Sequence, residues 1–385
     1  MSDHSLLEPF TLRGTTSRNR VMVSPMCTYA AGEDGRATDF HLVHLGRMAL
    51  GGAGIVTVEA TAVAPQGRIS RRDLGLWDDA QTEPLARIAR FLREQGAVPA
   101  IQLSHAGRKA ACHPAWAGGA PLAPDELAAL GEWPTEAPSA LSPGPGWQVP
   151  TQMSAKRVEE SVREWAAAAA RAVEAGFEVV ELHGAHGYLL HSFASPLSNH
   201  RTDAWGDGQA YPLAVVAAVR EAVGDDVALL YRASAVDGVE GGLGVEDVAA
   251  LARAAAERGV DLVDVSSGGI VTDRSVDTRV RRGYAFHADL SREIARLSGV
   301  PVGTVGLVVD RRQAQAALDA GDADLVLLGR ELLENPHWPH AAAVEAGLGY
   351  DGWHREAGWA LAGRAAQVAR LAEQGETPMT RYEAR

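Results

Sequence analysis

Residues 181–206 read ELHGAHGYLLHSFASPLSNHRTDAWG and follow an apolar run that begins at Phe177. The run stops abruptly at His183, His186 and Tyr188, and a polar loop follows with Ser195, Ser198, Asn199, His200, Arg201 and Asp203. A buried strand that ends in hydrogen-bonding groups at a fixed spacing is the way an α/β barrel offers functional side chains to a ligand. Two imidazoles and one phenol on a single turn suit the polarisation of a carbonyl or nitro oxygen together with delivery of one proton. Three other readings stand beside this one. The histidines could ligate zinc, although no third ligand is evident; they could satisfy loop carbonyls; and Tyr188 could be a packing residue with its hydroxyl tied to backbone.

Outward from this segment, short β-branched runs alternate with amphipathic helical patterns along the whole chain. Strands are expected near residues 21–24, 54–60, 98–103, 179–183, 228–233, 262–266, 302–305 and 324–329, and helices over 82–95, 155–175, 245–258 and 311–320. Several helical patterns end at glycine, the usual residue past a helix C-terminus. Eight βα units in series describe a (β/α)8 TIM barrel in the α/β class. Met26, Cys27, Ala60, Gln102, His183, Arg232, Ser266, Gly306 and Gly329 then fall at strand C-termini, where barrels place their chemistry. The barrel is expected over residues 1–340, with a helical tail over 341–385 that fits an oligomer interface. Residues 110–151, rich in Pro, Gly and Trp, are too long for a connector and are expected to form a lid. Trp116, Trp133 and Trp147 could wall a cavity, or the loop could simply pack on the barrel rim.

Composition narrows the class. The 385 residues carry a net charge of −13, which opposes non-specific nucleic-acid binding. No apolar run approaches the ~18 residues that a membrane span requires. The N-terminus is polar and acidic, unlike a secretory signal. The two cysteines, Cys27 and Cys112, show no metal-binding spacing. A cytoplasmic enzyme acting on a small molecule is the expectation. Only two lysines occur, Lys109 and Lys156, so Lys109 stands out. His41 and His44 fall in an expected helix after the first strand and read as structural.

Four further segments carry a resemblance: NRVMVSPMCTY at 19–29, GIVTVEA at 54–60, QLSHAGRK at 102–109 and LVLLGR at 325–330. With HxxHGY at 183–188 they occur in order over residues 7–336. The chain resembles the old yellow enzyme family, the FMN-dependent ene-reductases, and Cys27 with Tyr29 resembles its bacterial thermophilic-like branch, which includes xenobiotic reductases. The resemblance implies FMN as cofactor and NADPH or NADH as hydride donor. It places Ser24, Pro25, Met26, Cys27 and Ala60 against the flavin ring, with Cys27 tuning the potential and not acting as a nucleophile. Gln102 and Arg232 would meet the pyrimidine edge. Gly306, Gly329 and Arg330 would hold the phosphate, since glycine lets backbone N–H groups approach and arginine pairs bidentately. His183 and His186 would hold the substrate oxygen, and Tyr188 would give the proton. Tyr29 would be a second substrate contact, or rim packing. Lys109 would meet substrate or the nicotinamide phosphate at the mouth, unless it is solvated surface.

The implied activity is NAD(P)H-driven reduction of activated C=C bonds in unsaturated carbonyl or nitro compounds. Nitro-ester or nitroaromatic reduction on the same site, and a non-catalytic flavin-binding protein, are the alternatives. The resemblance weakens after Trp205-Gly206, where Asp207-Gly208-Gln209-Ala210-Tyr211-Pro212 lacks the family's Asn-Arg pair. It weakens again at Arg282-Gly283-Tyr284, which lacks the preceding proline. The branch assembles as homodimers or homotetramers in which a C-terminal arginine reaches a neighbouring site, and Arg381 and Arg385 lie near that position.

Overall fold

A computed structural model of the chain describes residues 5–131, 133–273, 280 and 282–380. Eight parallel strands close into one barrel: β1 (Val21–Val23), β2 (Ile55–Ala62), β3 (Val98–Ser104), β4 (Val179–Gly184), β5 (Ala228–Ser234), β6 (Leu262–Ser266), β7 (Val302–Val305) and β8 (Leu325–Leu328). β8 pairs with β1 through Val326 and Val21, which completes the ring. The outer helices are α1 (Asp39–Leu50), α2 (Thr82–Glu94), α3 (Ala155–Glu174), α4 (Ala210–Val223), α5 (Val245–Ala256), α6 (Ala288–Ser298) and α7 (Arg311–Asp319). α2 and α3 keep charge on one side and bury Leu85, Ile88, Trp165 and Ala168 on the other, against outward strand residues such as Val58, Ile101 and Val180. That is the pattern of a helix laid on a sheet.

The barrel interior is built in two storeys. Strand alternation sends Met22, Ile55, Val98, Ala100, Val179, Leu230, Leu262 and Leu327 inward as an apolar floor. An N-terminal hairpin, Phe10–Leu12 paired with Thr15–Ser17, closes that floor with Leu12. One alternation higher the inward residues are Gln102, Glu181, Arg232 and Asp264, all buried and all polar. Paired Cα positions set Arg232 beside both His183 and Asp264. An apolar floor under a charged storey puts the polar chemistry at the strand C-termini.

The segment at 110–151 is more ordered than its composition suggests. It contains a helix, Pro124–Leu130, and a short parallel pair, Glu136–Ala137 with Thr151–Gln152. Glu136 anchors it by accepting from Arg157 Nη2 (2.7 Å) and Nε (2.9 Å) and lying 3.2 Å from His105 Nε2. The missing Asn-Arg pair does not unsettle α4. Tyr211, in its first turn, is fully buried with its hydroxyl 2.6 Å from Ser161 Oγ, and it accepts from Trp165 Nε1. Beyond the barrel lie α8 (Trp338–Glu345) and α9 (Arg355–Glu373). Trp353 stacks on His340 and His337, with centroids at 4.6 and 5.0 Å, and ties the tail to the barrel. α9 leaves Trp359 and Val368 exposed. Arg381 and Arg385 lie outside the described residues. No described helix is long and apolar enough to cross a membrane.

Candidate active site

His183 ends the inward face of β4, and the chain then turns sharply through His186, whose φ is +61°. Such a conformation is rare for a residue with a Cβ and is kept here by the surroundings. The His186 N–H donates to Ser234 Oγ (3.1 Å), and its Nε2 lies 2.6 Å from Ser266 Oγ, at the end of β6. His183 Nδ1 accepts from the Ala185 N–H at 3.3 Å, which leaves the proton of the neutral ring on Nε2. The two imidazoles meet edge to face at 5.0 Å, and His183 meets Tyr188 the same way at 4.8 Å. The three predicted donors are therefore one cluster.

Their charge states follow from burial. Both imidazoles are pushed well below the ordinary histidine range, first by desolvation and then by the Arg232 cation, so both are neutral. Tyr188 is pushed well above the ordinary phenol range by desolvation and by Cys27 and Tyr29, so its hydroxyl keeps its proton. Among the described residues no group of three or more histidine, cysteine or carboxylate side chains could hold a metal ion.

The neighbours divide into two groups. Cys27, Tyr29, Trp147 and Tyr188 lean on a buried apolar patch of Ile69, Ala106, Ala110 and Cys112. Of the three loop tryptophans only Trp147 belongs to this patch. Trp116 is 72% exposed, and Trp133 lines a separate surface groove and donates to Gln66 O. The Cys27 thiol is pushed well up by desolvation and by Asp73, so it is protonated and a poor nucleophile. Glu59, unnoticed in the sequence, fixes the turn between Cys27 and Tyr29 by accepting from Thr28 N (3.0 Å) and Thr28 Oγ1 (2.6 Å).

Lys109 is placed differently from the expectation. Its Nζ donates to His186 O (2.7 Å) and Gly269 O (3.0 Å) and stands over the Tyr188 ring. The ammonium braces the turn that carries the donors, behind Tyr188, and is neither solvated surface nor a free cation at the mouth. A second brace was also missed: Gly187 N donates to His191 Nδ1, and Asp237 meets His191 Nε2 and Ser195 Oγ.

On the other side of the mouth, a cavity of about 330 Å³ is lined by Gly306, Leu307, Gly329 and Arg330 after β7 and β8. Arg330 is exposed there. Arg232 lies 3.1 Å from Asp264 Oδ2 and reaches Ser24 Oγ only at 3.4 Å. Gln102 Nε2 donates to Glu181 Oε1 at 2.7 Å.

Residues 5–348 match the NADH:flavin oxidoreductase / NADH oxidase family. A protein named NADPH dehydrogenase from Geobacillus sp. (strain WCH70) is 41% identical over 345 residues, 89% of this chain and 94% of that one. The chain belongs to this family, that of the old yellow enzymes. Among solved structures, morphinone reductase superposes with a TM-score of 0.73 at 24% identity, over 89% of this chain and 90% of that one. The old yellow enzyme homologue of Zymomonas mobilis gives 0.71 at 24%, over 89% and 93%. A 2-naphthoyl-CoA reductase gives 0.78 at 22%, and this chain spans 53% of that larger protein. At these identities the structures establish the barrel fold. Membership makes the chain an FMN-dependent oxidoreductase that takes electrons from a nicotinamide cofactor.

The residues present suit a flavin. The buried storey offers an amide at Gln102 and a cation at Arg232 for a heterocycle rich in N–H and C=O groups. The cavity after β7 and β8 combines two glycines with an arginine, a combination that accepts phosphate.

Proposed function

We propose that this old yellow enzyme reduces the C=C bond of α,β-unsaturated carbonyl or nitro compounds with NADPH as reductant. The observation that supports the reading best is the cluster of three uncharged donors, His183, His186 and Tyr188, on one turn above a buried arginine. FMN held at this site would supply the hydride for the β-carbon, with the nicotinamide as its source.

The chain's own part is to hold the substrate and move one proton. His183 Nε2–H and the His186 ring grip the carbonyl or nitro oxygen. Because both rings are neutral, they stabilise the negative charge that grows on that oxygen without first neutralising it. Each such donor in a water-poor site lowers the barrier by roughly 3 kcal/mol. Tyr188 Oη then protonates the α-carbon, and its raised pKa keeps the proton in place until that moment. Tyr29 adds a second hydroxyl, while Trp147, Ile69 and Cys112 exclude water from the apolar side. Ser24, Pro25, Met26, Cys27 and Ala60 line the ring, Gln102 and Arg232 its pyrimidine edge, and Gly306, Gly329 and Arg330 the phosphate. Lys109 supports Tyr188 from behind.

Stopped-flow kinetics test the assignment. In Tyr188→Phe, oxidation of the reduced enzyme by cyclohexenone should slow by roughly 100-fold, the usual range for a lost general acid. Flavin reduction by NADPH should keep its rate. An equal loss in both half-reactions, or none in either, rejects Tyr188 as the acid. Removing both imidazoles with His183→Ala and His186→Ala should cost roughly 10,000-fold in the same oxidative step, two losses of roughly 3 kcal/mol together.

A further inference from the structure

The polar storey beneath the site holds more acid than base. Glu181, Arg232 and Asp264 stand on the neighbouring strands β4, β5 and β6, and none is more than 7% exposed. If both carboxyls were ionised, one guanidinium would face two negative charges and an uncompensated ion would be buried. Taking up a proton costs far less than that.

Which carboxyl keeps the proton follows from their partners. Asp264 Oδ2 lies 3.1 Å from Arg232 Nε, an ion pair without hydrogen-bond geometry, so the cation opposes its charge directly although neither Asp264 oxygen has a hydrogen-bond donor. Glu181 Oε1 accepts only the neutral amide hydrogen of Gln102, and Oε2 has no hydrogen-bond partner. The groups that face Glu181 are Gln102 from β3, Arg232 from β5, Asp264 from β6 and, two residues up its own strand, the neutral His183. Desolvation and then repulsion by Asp264 raise Glu181. Asp264 is raised by desolvation, with Arg232 acting against it.

We propose that Glu181 is held as the neutral carboxylic acid, a positioning residue whose proton keeps the Arg232–Asp264 pair balanced and so sets the charge beneath the flavin. The effect on the flavin rests on the reading that Arg232 faces its pyrimidine edge. The protonation of Glu181 does not.

Infrared spectroscopy of the FMN-loaded protein at neutral pH reads the proton directly. The expected spectrum contains the C=O stretch of a buried protonated carboxyl, which shifts with carboxyl-labelled glutamate and not with labelled aspartate. Glu181→Gln should remove it. Both spectra are taken in a Glu59→Gln background, because Glu59, raised to about 7, would otherwise add a glutamate band of its own. A band that moves with labelled aspartate, survives Glu181→Gln or is missing altogether overturns the proposal. Redox titration supplies the second arm. Glu181→Gln copies the neutral acid and should change the flavin's oxidised-to-reduced balance less than threefold, whereas Arg232→Gln should change it more than tenfold, about 30 mV for a two-electron couple. A tenfold change in Glu181→Gln counts against the neutral acid. No change in Arg232→Gln removes the placement of the ring above it, and the infrared result then decides the protonation alone.

Discussion

Lys109 spends two of its three N–H bonds on the carbonyls of His186 and Gly269, which lie 77 and 160 residues away in the chain. Desolvation and the neighbouring Arg108 lower its pKa to about 8, so near neutral pH the ammonium is still charged and can donate. Lys109→Met therefore leaves two carbonyls short of a donor at a cost of about 1–3 kcal/mol. The melting temperature should fall and alkene turnover with it, because the brace on the catalytic turn is gone. The KM for NADPH should stay where it was; a tenfold rise in that KM with unchanged stability would restore the lysine to the mouth of the site. The same residues show what a sequence can and cannot reveal. His183, His186 and Tyr188 were legible because their spacing is local. The partners of Lys109 were not, because they come from two other loops, those after β4 and β6. Glu181 and Asp264 lie inside apolar strands, and only closure of the barrel shows that both stand beside the strand that carries Arg232.

The loop after β4 and the loop after β6 touch without side chains between them. A Cβ built on Gly269 would lie 2.5 Å from His186 Cα and 2.7 Å from its carbonyl carbon, and Gly269 has φ +92°. Backbone cannot yield as a flexible side chain does, so Gly269→Ala should push the two loops apart and free the strained turn at His186. The expected outcome is at least a tenfold loss of alkene turnover with FMN still bound, since no residue assigned to the flavin lies in either loop. A Gly269→Ala enzyme with full turnover would mean that this contact does not position His186. At this scale the sequence pattern placed all eight strands to within two residues, because continuous apolar runs bounded by helices leave little choice. It missed the N-terminal hairpin, whose three-residue strands are too short to show a period. It also missed the helix and strand pair inside residues 110–151, which owe their order to Glu136 and Arg157 and not to local pattern.

Across the molecule, burial has set two families of titrating groups against each other. His41, His44, His287 and His340 are lowered by desolvation to about 4, and His183 and His186 lie well below their ordinary value too. Between about pH 4 and 6.5 the unfolded chain protonates these rings and the folded chain does not, so stability rises with pH through that window. The carboxyls act in the other sense. Desolvation raises Glu59 to about 7 and Asp73 to about 6, and it raises Glu181 as well. The folded chain holds protons there that the unfolded chain has released, so these groups lower stability as pH rises, up to and beyond neutrality. Six imidazoles outweigh three carboxyls on the acid side, and Glu136 and Asp237, both lowered, add to the imidazole side. Above 6.5 the imidazoles no longer change and the carboxyls set the slope, until Lys109, lowered to about 8, begins to lose its proton in the folded chain and acts in the opposite sense. The melting temperature of the FMN-loaded protein should therefore climb from pH 4, reach a maximum near pH 6.5 and decline toward pH 8, with net proton uptake on unfolding at the acid end. A curve flat below pH 6 would contradict the neutral buried histidines. One that keeps rising between pH 6.5 and 7.5 would contradict the protonated carboxyls, Glu181 among them.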